Sequence, residues 1–377
     1  MQLIRAAVVA LALLPLPAAA AVLADDRADV LYHYYDGGGV TIDGPSLLVR
    51  KKFAEKYAVN ASYYVDMVSS ASIDVITTAS PYDEERTQYG VGFEYLRNKV
   101  TYAASFSNSS ENDYEADTAT LSISQDMFGD LTTVSLFFSR GWDDVTRRGD
   151  ESFADQVDRR IYGVDISQVA TKNLIVGLAY EAITEEGYLN NPYRQVRFVD
   201  PEAALGYSFE PERYPRTRTG NAVSVRARYF LPYRAAIQGE YRFYTDTWEI
   251  LGHTAEVSYT HPLDDQWTFD VHYRFYTQDA AEFYADLFPR ENFQNFLARD
   301  KELSTMTSHT IGFGAAYEFR SPGFSFLNRA SLNLRYDRIR FEYDDFRDIS
   351  QAGFAPGTEP FYTFDADVIR LFYSGWF

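Results

Sequence analysis

The final ten residues, Val368-Ile369-Arg370-Leu371-Phe372-Tyr373-Ser374-Gly375-Trp376-Phe377, alternate in character and stop on an aromatic carboxy-terminus. Successive side chains of a β-strand point to opposite sides. Ile369, Leu371, Tyr373 and Phe377 therefore share one face, and Arg370, Ser374 and Trp376 share the other. Such a strand fits a wall with hydrocarbon on one side and water on the other. A soluble sandwich accounts for one strand of this kind. The same period recurs about sixteen times upstream with no convincing helical period, and that repetition implies a transmembrane barrel.

The alternation predicts strands near residues 28–35, 41–53, 57–67, 85–96, 99–109, 114–127, 131–142 and 159–169. Eight more are predicted near 173–184, 219–231, 235–246, 251–260, 266–277, 308–319, 329–343 and 366–377. Their connections alternate in kind. Short ones fall at Ala54-Glu55-Lys56, Arg97-Asn98, Phe128-Gly129-Asp130, Ala170-Thr171-Lys172, Pro232-Tyr233-Arg234, 261–266 and 320–328. Long ones fall at 68–84, 143–158, 185–218, 278–307 and 344–365, with tight exceptions at 36–40, 110–113 and 247–250. Up-and-down barrels carry short turns on the periplasmic side and long loops outside, so an even strand count with both termini periplasmic is expected. Closure pairs residues 28–35 with the last strand, since an open edge in hydrocarbon leaves its backbone groups unsatisfied. No residues remain ahead of the first strand for a plug domain.

The amino-terminus reads as an export signal over residues 1–24, leaving residues 25–377 as the barrel. Arg5 supplies the positive region, Ala6 to Leu14 the apolar core, and Pro15 and Pro17 the break. There is no cysteine, which excludes a disulfide framework, a thiolate metal site and a cysteine nucleophile. The formal charge of −19 argues against nucleic acid or an anionic lipid surface as an electrostatic partner. Mean hydropathy is slightly negative, at −0.31, although the chain has 30 Tyr and 28 Phe. That combination is expected when half of each strand meets lipid and half meets water. The partners implied are outer-membrane lipid, lipopolysaccharide and, through the terminal Phe377, the barrel-assembly machinery.

The lipid face is predicted at Tyr89, Val91 and Phe93; Leu121 and Ile123; Val134, Leu136 and Phe138; Leu174, Val176 and Leu178; Ile237, Tyr241 and Phe243; and Ile311, Phe313 and Tyr317. The opposite positions become ionic from the tenth predicted strand onward. They are Arg226, Arg228, Glu240, Arg242, Glu256, Asp270, His272, Arg274, Glu318, Arg335, Asp337 and Arg370. A charge at a lipid-facing midplane position costs about 2–4 kcal/mol, so these side chains belong in the lumen. Arginines opposite carboxylates either filter solutes by charge or neutralise one another across the wall. Near Arg338 and Arg340 the apolar face passes from Leu332 and Leu334 to Ile339 and Phe341, as a β-bulge would cause.

The stretch from Glu185 to Arg197 opens the longest predicted loop, with Tyr188, Asn190, Asn191, Tyr193 and Arg194 as candidate contacts for a partner or for the lumen. Phe283 to Phe296 has the spacing of a short helix across the mouth. Catalytic signals are weak. Asp270 and His272 share a strand face, with Ser258 or Thr260 available nearby, but these positions face the lumen and a polar wall is the favoured reading of them. The pairs Asp143-Asp144 and Asp344-Asp345 lack the ligand spacing of a calcium loop and read as loop charges. Neither a catalytic centre nor a cofactor is expected, and the chain reads as non-enzymatic.

Four segments resemble a known family: Asp36-Gly37-Gly38-Gly39-Val40, Tyr63 to Ser72, Ser139 to Asp144, and Tyr188-Leu189-Asn190-Asn191-Pro192-Tyr193-Arg194. They are similar to hallmark stretches of the domain-of-unknown-function 3570 family of Gram-negative outer-membrane barrels, over the whole mature chain. The resemblance implies an envelope location and a barrel fold. It transfers no activity and no catalytic residue, and the family's neighbouring envelope redox and flavin-attachment proteins raise a periplasmic partner as one possibility and no more. The functional expectation is a porin-like channel for small hydrophilic solutes. The alternative is a non-conducting barrel that binds an envelope partner through its long loops.

Overall fold

The computed structural model describes residues 22–70, 82–320 and 327–377. The expected export signal and the middle of the 68–84 and 320–328 connections fall largely outside these residues. The described chain is almost entirely β. Sixteen strands close a barrel: β1 Arg27–Gly37, β2 Val40–Phe53, β3 Tyr57–Ser70, β4 Tyr82–Arg97, β5 Val100–Ser110, β6 Tyr114–Met127, β7 Thr132–Thr146, β8 Ala154–Thr171, β9 Leu174–Gly187, β12 Thr217–Phe230, β13 Ala236–Asp246, β14 Leu251–Pro262, β15 Trp267–Gln278, β16 Met306–Phe319, β17 Arg329–Arg347 and β18 Phe361–Trp376. The remaining two, β10 Gln195–Val199 and β11 Tyr207–Pro211, form a separate hairpin inside the long β9–β12 loop. Each barrel strand pairs antiparallel with its sequence neighbour, and β1 pairs with β18 from Arg27↔Trp376 to Gly37↔Ala366.

Alternation fixes the two faces. The exposed large apolar residues Tyr89, Val91, Phe93, Leu121, Leu136, Leu178, Ile237, Tyr241, Ile311 and Phe313 all lie on the predicted outer parity. Opposite parity carries the ion pairs that skip over a strand, which only the concave side of a closed sheet brings together. The tight turn after β1 needs a left-handed backbone at Gly38 and Gly39, with φ of 61° and 78°, where side chains other than glycine are strained.

Three expectations are corrected. Phe283 to Phe296 contains no helix; it is a run of turns tied by isolated bridges such as Phe198↔Phe288 and Arg213↔Leu297. Among the described residues the only helical turn is the 3-10 turn Lys301–Leu303. Second, β17 holds register with β18 from Arg329 to Glu342, so no bulge lies at Arg338. Ile339 and Phe341 stay on the inner face, and Phe341 is buried with Met306, Tyr343, Phe346 and Ala366. The outer face turns polar instead: Arg338 pairs with Asp367 at 2.5 Å and Asp365 at 2.9 Å. Polarity thus inverts across the wall where the strand outruns its apolar outer band. Third, both acidic pairs lie within strands, where neighbours face opposite sides. Asp143 is buried against Arg159 at 2.9 Å and accepts from the Tyr114 hydroxyl, while Asp144 accepts from Gln156 at 2.9 Å.

The three long loops pack together at the end opposite the termini. Trp248 stacks edge-on against Phe283 and Tyr214, with ring centroids 5.1 and 5.6 Å apart. This loop core meets inner-face residues of the wall, Tyr114, Val145 and Val157. Arg197 of β10, with no exposed surface, bonds Glu359 at 2.5 Å and also Asp286, so one guanidinium holds all three loops.

Candidate functional site

Glycine governs how the inner wall pairs. On β15, β16 and β17, His272, Gly312 and Asp337 lie side by side in register. The imidazole crosses the glycine to reach Asp337, Nε2 to carboxylate oxygen 3.3 Å. A Cβ at Gly312 would fall 1.9 Å from the ring carbon Cε1, so this route requires glycine. Arg370 of β18 binds the second oxygen of Asp337. Arg335 donates to His272 Nδ1 at 3.1 Å and stands 3.8 Å from Asp270.

The same order recurs on β1 to β4. His33 faces Gly44 in register, and its Nε2 reaches over β2 to Asp66 at 2.7 Å. A Cβ on Gly44 would meet the Val65 carbonyl oxygen at 1.9 Å. Asp66, at 1% exposure, pairs with Arg86 of β4 at 2.8 Å. Tyr64 stacks on His33 with centroids 5.0 Å apart and places its hydroxyl 3.2 Å from Nε2. Because β18 and β1 are neighbours and Arg370 pairs with His33, the two sets join. Eight successive strands thus present His272, Gly312, Asp337, Arg370, His33, Gly44, Asp66 and Arg86 as one belt.

The expected ionic ladder occupies the same face farther round. Arg226 crosses Gly177 to Asp165 at 2.7 Å, Arg242 reaches Glu181 at 3.1 Å, and Arg228 bonds Gln238 at 2.9 Å. Glu240 lies directly opposite Glu256, and Arg226 and Arg274, opposite Glu240 and Glu256 in turn, flank this pair of like charges. Ser258 stands opposite His272, but that imidazole is committed to Asp337 and Arg335. On β6 and β7 the inner face carries hydroxyls instead, with Thr120 on Ser139 and Ser124 on Ser135, each at 2.9 Å.

The loop candidates are structural ties. Tyr188 packs edge-on against Phe153, and Asn190 donates to the Tyr188 hydroxyl at 3.1 Å and the Glu212 carbonyl at 3.3 Å. Asn191 accepts from the Tyr193 amide at 2.9 Å, the Tyr193 hydroxyl accepts from the Arg148 amide at 2.7 Å, and Arg194 pairs with Asp300. Beside them, burial and the neighbouring Asp300 push the Glu212 carboxyl up to about 7.

Sequence reasoning identified His272, Arg335 and Arg370 but missed His33, Arg86 and the seat glycines Gly44 and Gly312. Their signal is a glycine on the inner parity of an otherwise bulky strand. It acquires meaning only once register is known.

No curated protein matches the chain. Among solved structures, a bacterial polysaccharide outer membrane secretin aligns with TM-score 0.49 and 9% identity, covering 93% of this chain and 98% of that one. OccD3 (OpdP) of Pseudomonas aeruginosa aligns with TM-score 0.48 and 9% identity, covering 93% and 90%. A Pseudomonas aeruginosa FadL homologue aligns with TM-score 0.46 and 11% identity, covering 96% and 92%. Of the four hallmark segments only Tyr188 to Arg194 lies inside the region that a family model matches. That model, described as "Protein of unknown function (DUF3570)", matches residues 154–335, from the start of β8 into β17.

Proposed function

We propose that this chain is an outer-membrane barrel that conducts small hydrophilic solutes through a charged lumen restricted at one end by its loops. One observation carries the reading: the outer wall is a continuous apolar band while the inner wall is ion-paired and hydroxyl-lined. Barrels of about sixteen strands leave room for water, whereas those of about eight fill with side chains. In this reading both termini lie in the periplasm, a signal peptide over residues 1–24 directs export, and the aromatic carboxy-terminus is read by the assembly machinery. Lipid and lipopolysaccharide surround the wall, and no chemistry is catalysed.

Planar-bilayer recording of the refolded mature protein tests it. Discrete steps with a reversal potential under a salt gradient are expected, and deleting the hairpin 195–211 should enlarge them. Current at the bare-bilayer level from verified, inserted protein, with and without the hairpin, defeats the channel. The buried core formed by the loops themselves favours a second reading, docking of an envelope partner on that layer. Loop deletions would then abolish the cellular phenotype, and substitutions in the lumen would leave it intact.

A further inference from the structure

On the outer wall two arginines face each other across a strand pair. Arg140 of β7 and Arg160 of β8 are direct register partners, on the same face as Phe138 and Tyr162. Like charges directly opposite in a sheet destabilise it, and on this side of the wall an uncompensated charge is costly in any case. Asp158, the next outer-face residue of β8, answers part of the charge. It accepts from Arg140 Nε and Nη2 at 3.0 and 2.6 Å and stands 2.9 Å from Arg160 Nη2, so one carboxylate serves two guanidiniums. The arginine side chains are 50% and 41% exposed, and Arg140 Nη1 and Arg160 Nε and Nη1 have no partner among the described residues.

The pair marks the loop-side limit of the apolar band. Toward the turns, the same face carries Leu136 and Phe138 on β7 and Tyr162 and Ile166 on β8, with the Phe138 and Tyr162 rings 5.0 Å apart. Toward the loops stands Trp142, its ring 6.0 Å from the Arg140 guanidinium, as expected of an aromatic at a membrane–water boundary. The outer register neighbours are small, Ala119 beside Arg140 and Thr184 beside Arg160, so neither covers its guanidinium. The next row outward is acidic, with Asp117, Asp158 and Glu186 alongside Trp142. A free anion arriving from water meets those carboxylates first. An anion held from below, by chains lying on Phe138 and Tyr162, reaches the guanidiniums without crossing them. On β17 and β18, by contrast, Arg338 and Arg340 are matched by Asp365, Asp367 and Glu342, and no cation is in excess.

The geometry points to a binding site for the phosphate of an outer-leaflet lipid, with Arg140 and Arg160 holding the phosphate oxygens and Leu136, Phe138 and Tyr162 underlying its acyl chains. A guanidinium fork matches phosphate oxygens in pairs and is weakly hydrated, so it serves at the edge of hydrocarbon where an ammonium group would stay in water. The bound phosphate supplies the negative charge that Asp158 alone does not, and the repulsive register pair becomes part of a closed set. Lipopolysaccharide, phosphorylated at the end from which its chains descend, has this chemistry. The chain's overall charge of −19 disfavours diffuse attraction to an anionic surface, whereas this site acts at contact range. The inference rests on the outer-membrane reading and is independent of conduction.

Native mass spectrometry of the refolded mature barrel tests it, with bisphosphorylated lipid A, the same lipid stripped of its phosphates, and inorganic phosphate as probes. The first bisphosphorylated lipid should bind about tenfold or more tightly than the stripped one, as charge-assisted hydrogen bonds to a phosphate require. Combining Arg140→Gln with Arg160→Gln should remove that difference. Each single variant should reduce it, so the singles decide the matter if the double variant does not refold. Arg338→Gln should leave the difference intact, and its loss there would assign the effect to general surface charge and overturn the site. Equal binding of the two lipids by the wild type, or a full difference in the Arg140 and Arg160 variants, also overturns it. Displacement of the lipid by equimolar inorganic phosphate would make this a free-anion site and overturn the lipid assignment. A barrel that does not enter bilayers defeats the membrane reading, whereas an inserted barrel that ignores the phosphates defeats this inference alone.

Discussion

His33 near the start of the barrel and Arg370 near its end face each other across the strand pair that closes it. Through them an Asp337–Arg370 pair meets a His33–Asp66–Arg86 set, so the seam of the cylinder is also the joint of its inner polar belt. Strand closure and lumenal chemistry are thus decided by the same register.

That coupling makes Gly312 a sensitive position. An added Cβ would lie 1.9 Å from His272 Cε1 and 2.2 Å from Asp337 Oδ1, so Gly312→Ala must expel the imidazole from its seat. The expected cost is about 1–3 kcal/mol, typical of forcing atoms into a packed site. It is measured as a lower urea midpoint in reversible bilayer refolding. Gly239→Ala, where an added Cβ meets nothing within 4 Å, should change the midpoint far less.

Face assignment is testable by paired arginines. Leu121 is 60% exposed on the apolar outer face, while its neighbour Ser122 points inward. Leu121→Arg should lose about 2–4 kcal/mol of folding free energy in bilayers, and Ser122→Arg much less. Equal losses in urea titrations would contradict the inside–outside assignment.

Arg197 holds the loop layer. Replacing it with methionine leaves Glu359 buried without its cation, while Asp286 keeps Arg299 at 3.0 Å, a change worth about 3–5 kcal/mol in comparable sites. Proteolysis should then cut within 195–211 and 279–305 while the barrel itself stays resistant. Unchanged loop resistance would show that the layer does not depend on this link.

The loop layer should also respond to pH. The folded carboxyl of Glu212 is raised to about 7 from an ordinary 4.5 by burial and by Asp300. A raised acid favours the protonated fold, so its contribution is fully present below about pH 4.5 and falls as pH rises to about 7, where the folded group also ionises. Protease resistance of residues 188–216 should therefore be greater at pH 5 than at pH 7.5 after correction for protease activity. Glu212→Gln should flatten the difference.

Much of this architecture was legible in the chain. Period-two alternation is a local property, since each side chain's direction follows from its own strand. The strand number, the apolar band from Tyr89 to Phe313 and the inward placement of Arg226, Arg242, Asp270 and Arg370 could all be read from it. Register is not local. That His33 reaches Asp66 over Gly44, and His272 reaches Asp337 over Gly312, depends on how strands tens of residues apart align when the sheet closes. The same limit applies at the loop end. The run at Ile339 and Phe341 mimics a bulge because alternation shows only that two faces differ, not which solvent each meets. Beyond the apolar band the outer wall is polar and the inner wall packs on the loops, so the pattern reverses without any break in pairing. Sequence by itself determined a sixteen-stranded wall with an apolar outside. Only tertiary structure decided which charges meet across it, because those meetings are set by ring closure and loop packing over long separations in the chain.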